Sequence, residues 1–201
     1  MSRGGRNLPR YIVGFTGASG IVYGVRLVEE LLKREFEVNL IISQPAAIVL
    51  QQEMGWEIDD DIPASVRKYF GADKLTVYEN SNIAAPIASG SYLTEGMVVI
   101  PCTMASISAI ATGAAKGLLE RAADVMIKEK RNLIVVPRET PLNAIHLRNM
   151  LTLAELGVHV VPAMPGFYSH PQTVDDLVNF IIGKVLDSMR IEHNLFARYE
   201  G

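Results

Sequence analysis

The chain has 201 residues, 49% of them hydrophobic, which is enough for one well-filled α/β domain and short for two. A formal charge of −3 and a pI near 5.8 argue against a general nucleic-acid coat and against a binder of anionic membranes. Cys102 is the only cysteine, so an intrachain disulfide and a four-cysteine zinc site are excluded, and a reducing compartment is expected.

Residues 1–10 carry Arg3, Arg6 and Arg10 without an apolar stretch behind them, so they read as an N-terminal extension and not as a secretory signal. Residues 11–201 read as the single domain. No apolar run approaches membrane-spanning length. The expected setting is the cytoplasm, with neither membrane nor nucleic acid as partner.

Tyr11 to Phe15 is strand-like, and Ile21, Val25, Val28 and Leu32, joined by Leu27 and Leu31, then repeat at helical spacing. Val38 to Ser43 predicts a second strand. Pro45 to Met54 follows as a helix with proline in its first turn, and Ala64 to Phe70 as a short helix ended by Gly71. From Asn80 to Thr94 the sequence is small and polar, broken by Pro86 and Gly90, and reads as a surface loop near a ligand. Met97 to Ile100 is a buried strand stopped by Pro101. Helix follows from Ser106 to Thr112 and, after Gly113 and Gly117, from Leu118 to Glu129. Leu133 to Val136 is another strand, Pro141 to Leu156 a helix ended by Gly157, Val158 to Val161 a last strand and Val174 to Met189 a last helix. Nearly all-apolar strands alternating with helices mean a parallel sheet covered on both faces, a Rossmann-like, doubly wound α/β fold.

Open sheets of this kind bind ligands at the carboxyl ends of their strands. Three such ends hold ligand-type residues. After the first strand, Thr16-Gly17-Ala18-Ser19-Gly20, with Gly24 beyond, lets backbone amides and a helix amino end approach an anion, and Ser19 adds a hydroxyl. The spacing departs from G-x-G-x-x-G, and the second strand ends in Ser43 where a dinucleotide site needs an acidic residue. No Tyr is followed four residues later by Lys, as a short-chain dehydrogenase requires. A mononucleotide with one terminal phosphate, FMN, fits better, with Ser19 and Ser43 as hydroxyl donors. Thr103, Met104, Ala105 and Ser106 form a second cradle, for which ordinary helix capping is the competing reading. At the third end, Arg138 is a fixed cationic fork suited to phosphate, and Glu139 beside it is a candidate proton acceptor or donor.

Charge is uneven: Lys116 to Arg148 holds seven Lys or Arg against four Asp or Glu. Arg121 and Lys128, seven apart, share one helix face. Tyr168 lies in the stiff Pro165–Pro171 loop, and Glu53 closes an apolar helix, Ala46 to Leu50, where an exposed cap is the plain reading. Cys102, at the end of a buried strand, reads as packing. The four histidines show no metal-ligand spacing.

Together, Thr16-Gly-Ala-Ser-Gly20, Ala88-Ser-Gly-Ser91, Glu120-Arg-Ala-Ala-Asp124, Pro137-Arg-Glu-Thr-Pro141 and Pro165-Gly-Phe-Tyr168 resemble, in order and spacing from about Tyr11 onward, the UbiX flavin prenyltransferases. These are Rossmann-like flavoproteins of a cysteine-decarboxylase-like group. The resemblance implies metal-independent transfer of a dimethylallyl group from dimethylallyl phosphate to reduced FMN, at N5 and then C6, making prenylated FMN for UbiD-type decarboxylases. By position, it implies that Gly17, Ala18, Ser19, Ser43, Thr103 to Ser106 and Arg138 hold the flavin. Tyr168 and Lys184 would hold the prenyl phosphate, with Arg121, Lys128 and Glu139 around it, and Ser19, Glu53, Glu139 and Lys128 would serve the chemistry. It further implies a homo-oligomer, a dodecamer, with sites at subunit contacts. Members often carry Arg where Lys184 stands and Trp where Tyr199 stands, which leaves donor affinity and donor choice open. A flavin-dependent cysteine decarboxylase and a non-catalytic flavin carrier are the alternatives.

Overall fold

The computed structural model describes residues 8–198; Arg3, Arg6 and Tyr199 lie outside them. Six parallel strands form one sheet in the order β3-β2-β1-β4-β5-β6. They are β1 (Arg10–Phe15), β2 (Glu37–Ile42), β3 (Leu75–Glu79), β4 (Gly96–Cys102), β5 (Asn132–Pro137) and β6 (His159–Val160). The helices are α1 (Ile21–Lys33), α2 (Gln44–Met54), α3 (Ile62–Phe70), α4 (Met104–Ala111), α5 (Leu118–Lys128), α6 (Ala144–Glu155) and α7 (Val174–Ser188).

Side chains alternate across a strand, so each strand feeds two cores. Val13, Phe15, Leu40, Ile42, Val98, Ile100, Ile134 and Val136 face α1, α2, α3 and α7. Ile12, Ile41, Met97, Val99, Leu133 and Val135 face α4, α5 and α6. This two-sided burial explains why the strands carry unbroken apolar runs. Each fully buried Leu, Ile or Phe contributes about 1.5–3 kcal/mol, so both cores stabilise the sheet substantially.

The structure departs from the sequence reading at several element ends and in one whole strand. Strand β4 does not stop at Pro101: it continues to Cys102, with a register irregularity between Val99 and Cys102. A proline cannot donate to the ladder, and the irregularity removes the need for that donor. Helix α6 starts at Ala144 and not at Pro141, because Asn143 caps it, accepting from the amides of Ile145 and His146 at 2.9 Å each. Strand β3 was absent from the reading; its Leu75 and Val77 are buried while Thr76 is exposed, a five-residue alternation at a sheet edge.

The strand order reverses direction between β1 and β4, and the loops leaving these two strands meet there. Thr16, buried after β1, donates its hydroxyl to the Pro101 carbonyl at 2.7 Å and accepts from the Thr103 amide at 2.9 Å. Gly24 lets α1 lie close over this point: a Cβ there would come within 2.5 Å of the Ile100 carbonyl oxygen and of the Phe15 ring. Its role is helix-to-strand packing and not approach to an anion. Among the described residues no helix is long and apolar enough to cross a membrane.

Candidate active site

The sheet's carboxyl edge collects the amino ends of α1, α2 and α4. Each such end leaves backbone amides without intrahelical partners, and the three ends satisfy them differently. Gly20, at the start of α1, takes a left-handed φ of 92° and supplies no side-chain cap. Glu53, from α2, fills that place: its carboxylate accepts from the Gly20 amide at 2.9 Å and the Ile21 amide at 3.1 Å. The anion at the α1 amino end is therefore a side chain of the protein itself, which corrects the expectation that this end is open to a ligand. Glu53 is more than an exposed terminus of α2.

Ser43 caps α2, accepting from the Ala46 amide at 3.2 Å. Thr103 caps α4, accepting from the Ser106 amide at 3.1 Å and donating to the Ser106 hydroxyl at 3.1 Å. Both residues thus have capping roles. Beyond these bonds, the amides of Met104 and Ala105 make no hydrogen bond among the described residues, so the α4 amino end presents two open donors. Ala18 is buried beneath the β1 loop, and Ser19 stands exposed beside it.

β5 delivers Arg138 and Glu139 to the same edge. Arg138 donates from Nε to the Ser19 carbonyl at 3.1 Å, tying the β5 exit to the β1 loop, while its two terminal nitrogens have no partner among the described residues. Glu139 is exposed and accepts from the Thr140 amide at 3.0 Å. Both line a cavity of about 300 Å³ closed by Leu142, Met150, Pro162 and Met164. A fixed cation and a carboxylate at the mouth of an apolar hollow suit a ligand with a charged head and a hydrocarbon body. Tyr23, which the sequence reading passed over, has its ring 3.0 Å from where a Gly20 Cβ would lie, with Arg138 just beyond. Burial pushes its phenol up, and the Arg138 charge partly offsets this. Its place three residues after Gly20 was the available signal.

The other predicted residues form two separate groups. Tyr168, 52% exposed, sets its ring edge-on to Phe180 at 5.6 Å, and Lys184 lies over that same Phe180 at 5.6 Å, so both belong to the α7 side of the sheet. Arg121 and Lys128 belong to α5, on the opposite side. Arg121 donates to the Ala88 carbonyl at 3.1 Å and pairs with Asp124 at 2.7 Å, and Lys128 pairs with Glu129. They do not meet on a common anion within the chain. Cys102 is fully buried, and burial followed by the nearby Glu120 charge pushes its thiol far up, in keeping with packing.

A Rossmann-like fold with hydroxyls and open helix-end amides at its switch point, and an arginine reaching it from β5, defines a phosphate-type ligand site of a nucleotide-binding class, and the profile of the family described as Flavoprotein matches residues 3–186. The flavin prenyltransferase UbiX of Halalkalibacterium halodurans is 50% identical over 190 residues, spanning 94% of this chain and 92% of that one. The solved structure of AnUbiX (PadA1) in complex with FMN and dimethylallyl pyrophosphate superposes with a TM-score of 0.88 at 36% identity, covering 97% of this chain and 99% of that one. A dodecameric FMN-dependent UbiX-like decarboxylase from Escherichia coli O157:H7 superposes with a TM-score of 0.86 at 42% identity, covering 96% and 100%. The chain belongs to the UbiX-like flavin prenyltransferases.

Proposed function

We infer that the chain is a flavin prenyltransferase that moves the dimethylallyl group of dimethylallyl phosphate onto reduced FMN, at N5 and then at C6, closing a fourth ring. What supports this reading most is the 50% identity over 94% of the chain to a flavin prenyltransferase UbiX, and the frame of the site is the junction at the switch point, where Thr16 joins the exits of β1 and β4 and Arg138 joins the exit of β5 to Ser19. The donor set fits FMN. The open amides of Met104 and Ala105, the hydroxyls of Ser43, Thr103 and Ser106, and the free terminal nitrogens of Arg138 suit a phosphate and a polyol, with Gly17, Ala18 and Ser19 as the wall beneath the ring.

Prenyl transfer breaks the allylic carbon–oxygen bond, and phosphate leaves with the electron pair while the carbon develops cationic charge. Basic side chains that neutralise the departing dianion lower this barrier, and loss of one such donor typically costs about a hundred- to a thousandfold in rate. Lys184 and Tyr168 would take this role, joined by Glu139 and, from a neighbouring copy, by Arg121 and Lys128. In ring closure flavin C6 bonds to the prenyl C3 as the alkene π bond breaks, a proton adds to the prenyl C2, and a proton then leaves C6. Ser19, Glu53 and Glu139 stand at the carboxyl edge as candidate proton carriers, and Glu53 is already aligned by two amides.

Arg121 and Lys128 lie on the opposite side of the sheet from Lys184, so a complete phosphate grip draws them from a neighbouring copy. The apolar surface beside the cavity supports such an assembly: Ile145 and Leu151 on α6, with Met164 and Phe167 nearby, are more than half exposed. We assign this chain a homo-oligomer, of dodecameric size, working in the cytoplasm and handing prenylated FMN to a UbiD-type decarboxylase. Release of inorganic phosphate from dimethylallyl phosphate tests the reading. It is expected only when both the protein and reduced FMN are present, and release that ignores the flavin contradicts it.

A further inference from the structure

Lys184 has an unusual setting for a surface cation. Its ammonium lies 5.6 Å from the Phe180 ring centre and 5.2 Å from that of Phe196, and it makes no ion pair among the described residues. The nearest carboxylate on α7, Asp187, is otherwise engaged. It accepts from Arg198 at 2.8 Å and from His193 Nε2 at 3.2 Å, while His193 Nδ1 accepts from the Leu195 amide, which places the imidazole proton on Nε2.

These bonds fasten residues 191–198 back along α7 as a strap. Ile191 and Leu195 pack on the core behind it, and His193 is buried. The strap sits tightly on Gly183, the residue before Lys184: a Cβ there would come within 2.3 Å of the Phe196 ring and 2.6 Å of the His193 ring. Phe196 in turn lies 5.1 Å from Phe180, whose ring meets the edge of Tyr168. Tyr168, Phe180, Lys184 and Phe196 are therefore one contiguous cluster, with Phe180 and Lys184 set by α7, Phe196 by the strap and Tyr168 by the loop before α7.

We propose that Phe196 is a positioning residue for Lys184, its ring confining the ammonium so that the charge faces the prenyl phosphate. A lysine is a point charge on a flexible four-carbon stem, without the planar fork by which an arginine fixes its own direction. Two aromatic faces attract the cation and narrow its rotamers without neutralising it, as a carboxylate partner would. The charge stays available for an incoming dianion. The inference rests on Lys184 serving the phosphate donor, as the proposed function has it.

Phe196→Leu keeps an apolar side chain on Gly183 and removes the ring. Steady-state prenyl transfer by the full oligomer is expected to show a KM for dimethylallyl phosphate raised about five- to tenfold, with kcat within about twofold, since a half-desolvated cation–aromatic contact is of that size. FMN affinity is expected to stay unchanged, and Phe196→Tyr to restore KM. Gly183→Ala, which pushes the strap away without altering any ring, is expected to give the same KM rise. An unchanged KM in Phe196→Leu, or a loss that falls on kcat and FMN binding and is not rescued by tyrosine, overturns the proposal. If the wild-type protein performs no prenyl transfer, it is the functional reading that fails. Titration with inorganic phosphate, followed by phosphorus NMR, then decides the positioning role: weaker binding in Phe196→Leu than in wild type upholds it, and equal binding sinks it.

Discussion

The Glu53 carboxylate, carried on the last turn of α2, sits on the Gly20 amide at 2.9 Å and so closes the amino end of α1 from across the carboxyl edge of the sheet. One contact thereby links two helices, the β1 loop and a candidate proton carrier. A negative group at a helix amino end is worth about 0.3–1 kcal/mol, and a lost cap typically about 1 kcal/mol. Glu53→Ala is therefore expected to lower the melting temperature by about 2–4 °C for a chain of this length. If Glu53 also carries the proton of ring closure, turnover falls far more than this stability loss explains. Calorimetry beside single-turnover kinetics separates the two effects, and a variant with normal turnover removes Glu53 from the chemistry.

Glu139 faces the cavity and among the described residues is bonded only to its neighbour's amide, so its loss is expected to leave the fold nearly untouched. Glu139→Gln is expected to nearly abolish turnover while FMN still binds. A flavin titration run alongside the turnover assay checks both halves, and undiminished turnover would remove Glu139 from the chemistry.

Arg138 acts on the flavin side, spanning to Ser19 by one bond with two nitrogens in reserve. Hydrogen bonds to charged groups contribute about 1.5–3 kcal/mol, so Arg138→Ala is expected to weaken FMN binding about ten- to a hundredfold. Equilibrium dialysis of FMN measures this. Thermal stability should hardly change, because among the described residues Arg138 is bonded to a single loop carbonyl, that of the exposed Ser19.

Glu30 on α1 gives a pH signature. Burial pushes its carboxyl up, but ion pairs with Lys33 at 2.8 Å and Arg34 at 2.6 Å outweigh this and hold it below the usual carboxylate range. A carboxyl that ionises more easily when folded stabilises the fold above its unfolded pKa, near 4.3, and that stability disappears as pH falls through the lower folded value. Glu30→Gln is thus expected to cost about 1–2 kcal/mol at neutral pH, between the limits for exposed and buried pairs. The gap to wild type should begin to narrow as pH falls below about 4.3 and close once pH is below the lower folded value. Denaturant melts at several pH values test this, and a gap that persists in acid contradicts the ion-pair account.

Much of the sheet was legible because a strand buried on both faces writes an unbroken apolar run, as Leu133 to Val136 does. β3 escaped because an edge strand with one wet face writes only a faint alternation over Leu75 to Glu79. The ligand-type loops were legible as Gly, Ser and Thr directly after strands. What those residues bond was not. Glu53 lies 33 residues from Gly20 in the chain, and Thr16 bonds Pro101 across 85, so neither partnership has a local trace. The strap behind Lys184 shows no periodicity at all, and the separation of Arg121 from Lys184 follows only from which face each helix covers.

The central claim is prenylation of the flavin itself, and the mass of the flavin after anaerobic incubation of the protein with reduced FMN and dimethylallyl phosphate tests it most directly. The account predicts a product heavier by one dimethylallyl unit, formed by wild type and nearly absent with Glu139→Gln. Recovery of FMN at unchanged mass, beside an active control enzyme, would contradict it.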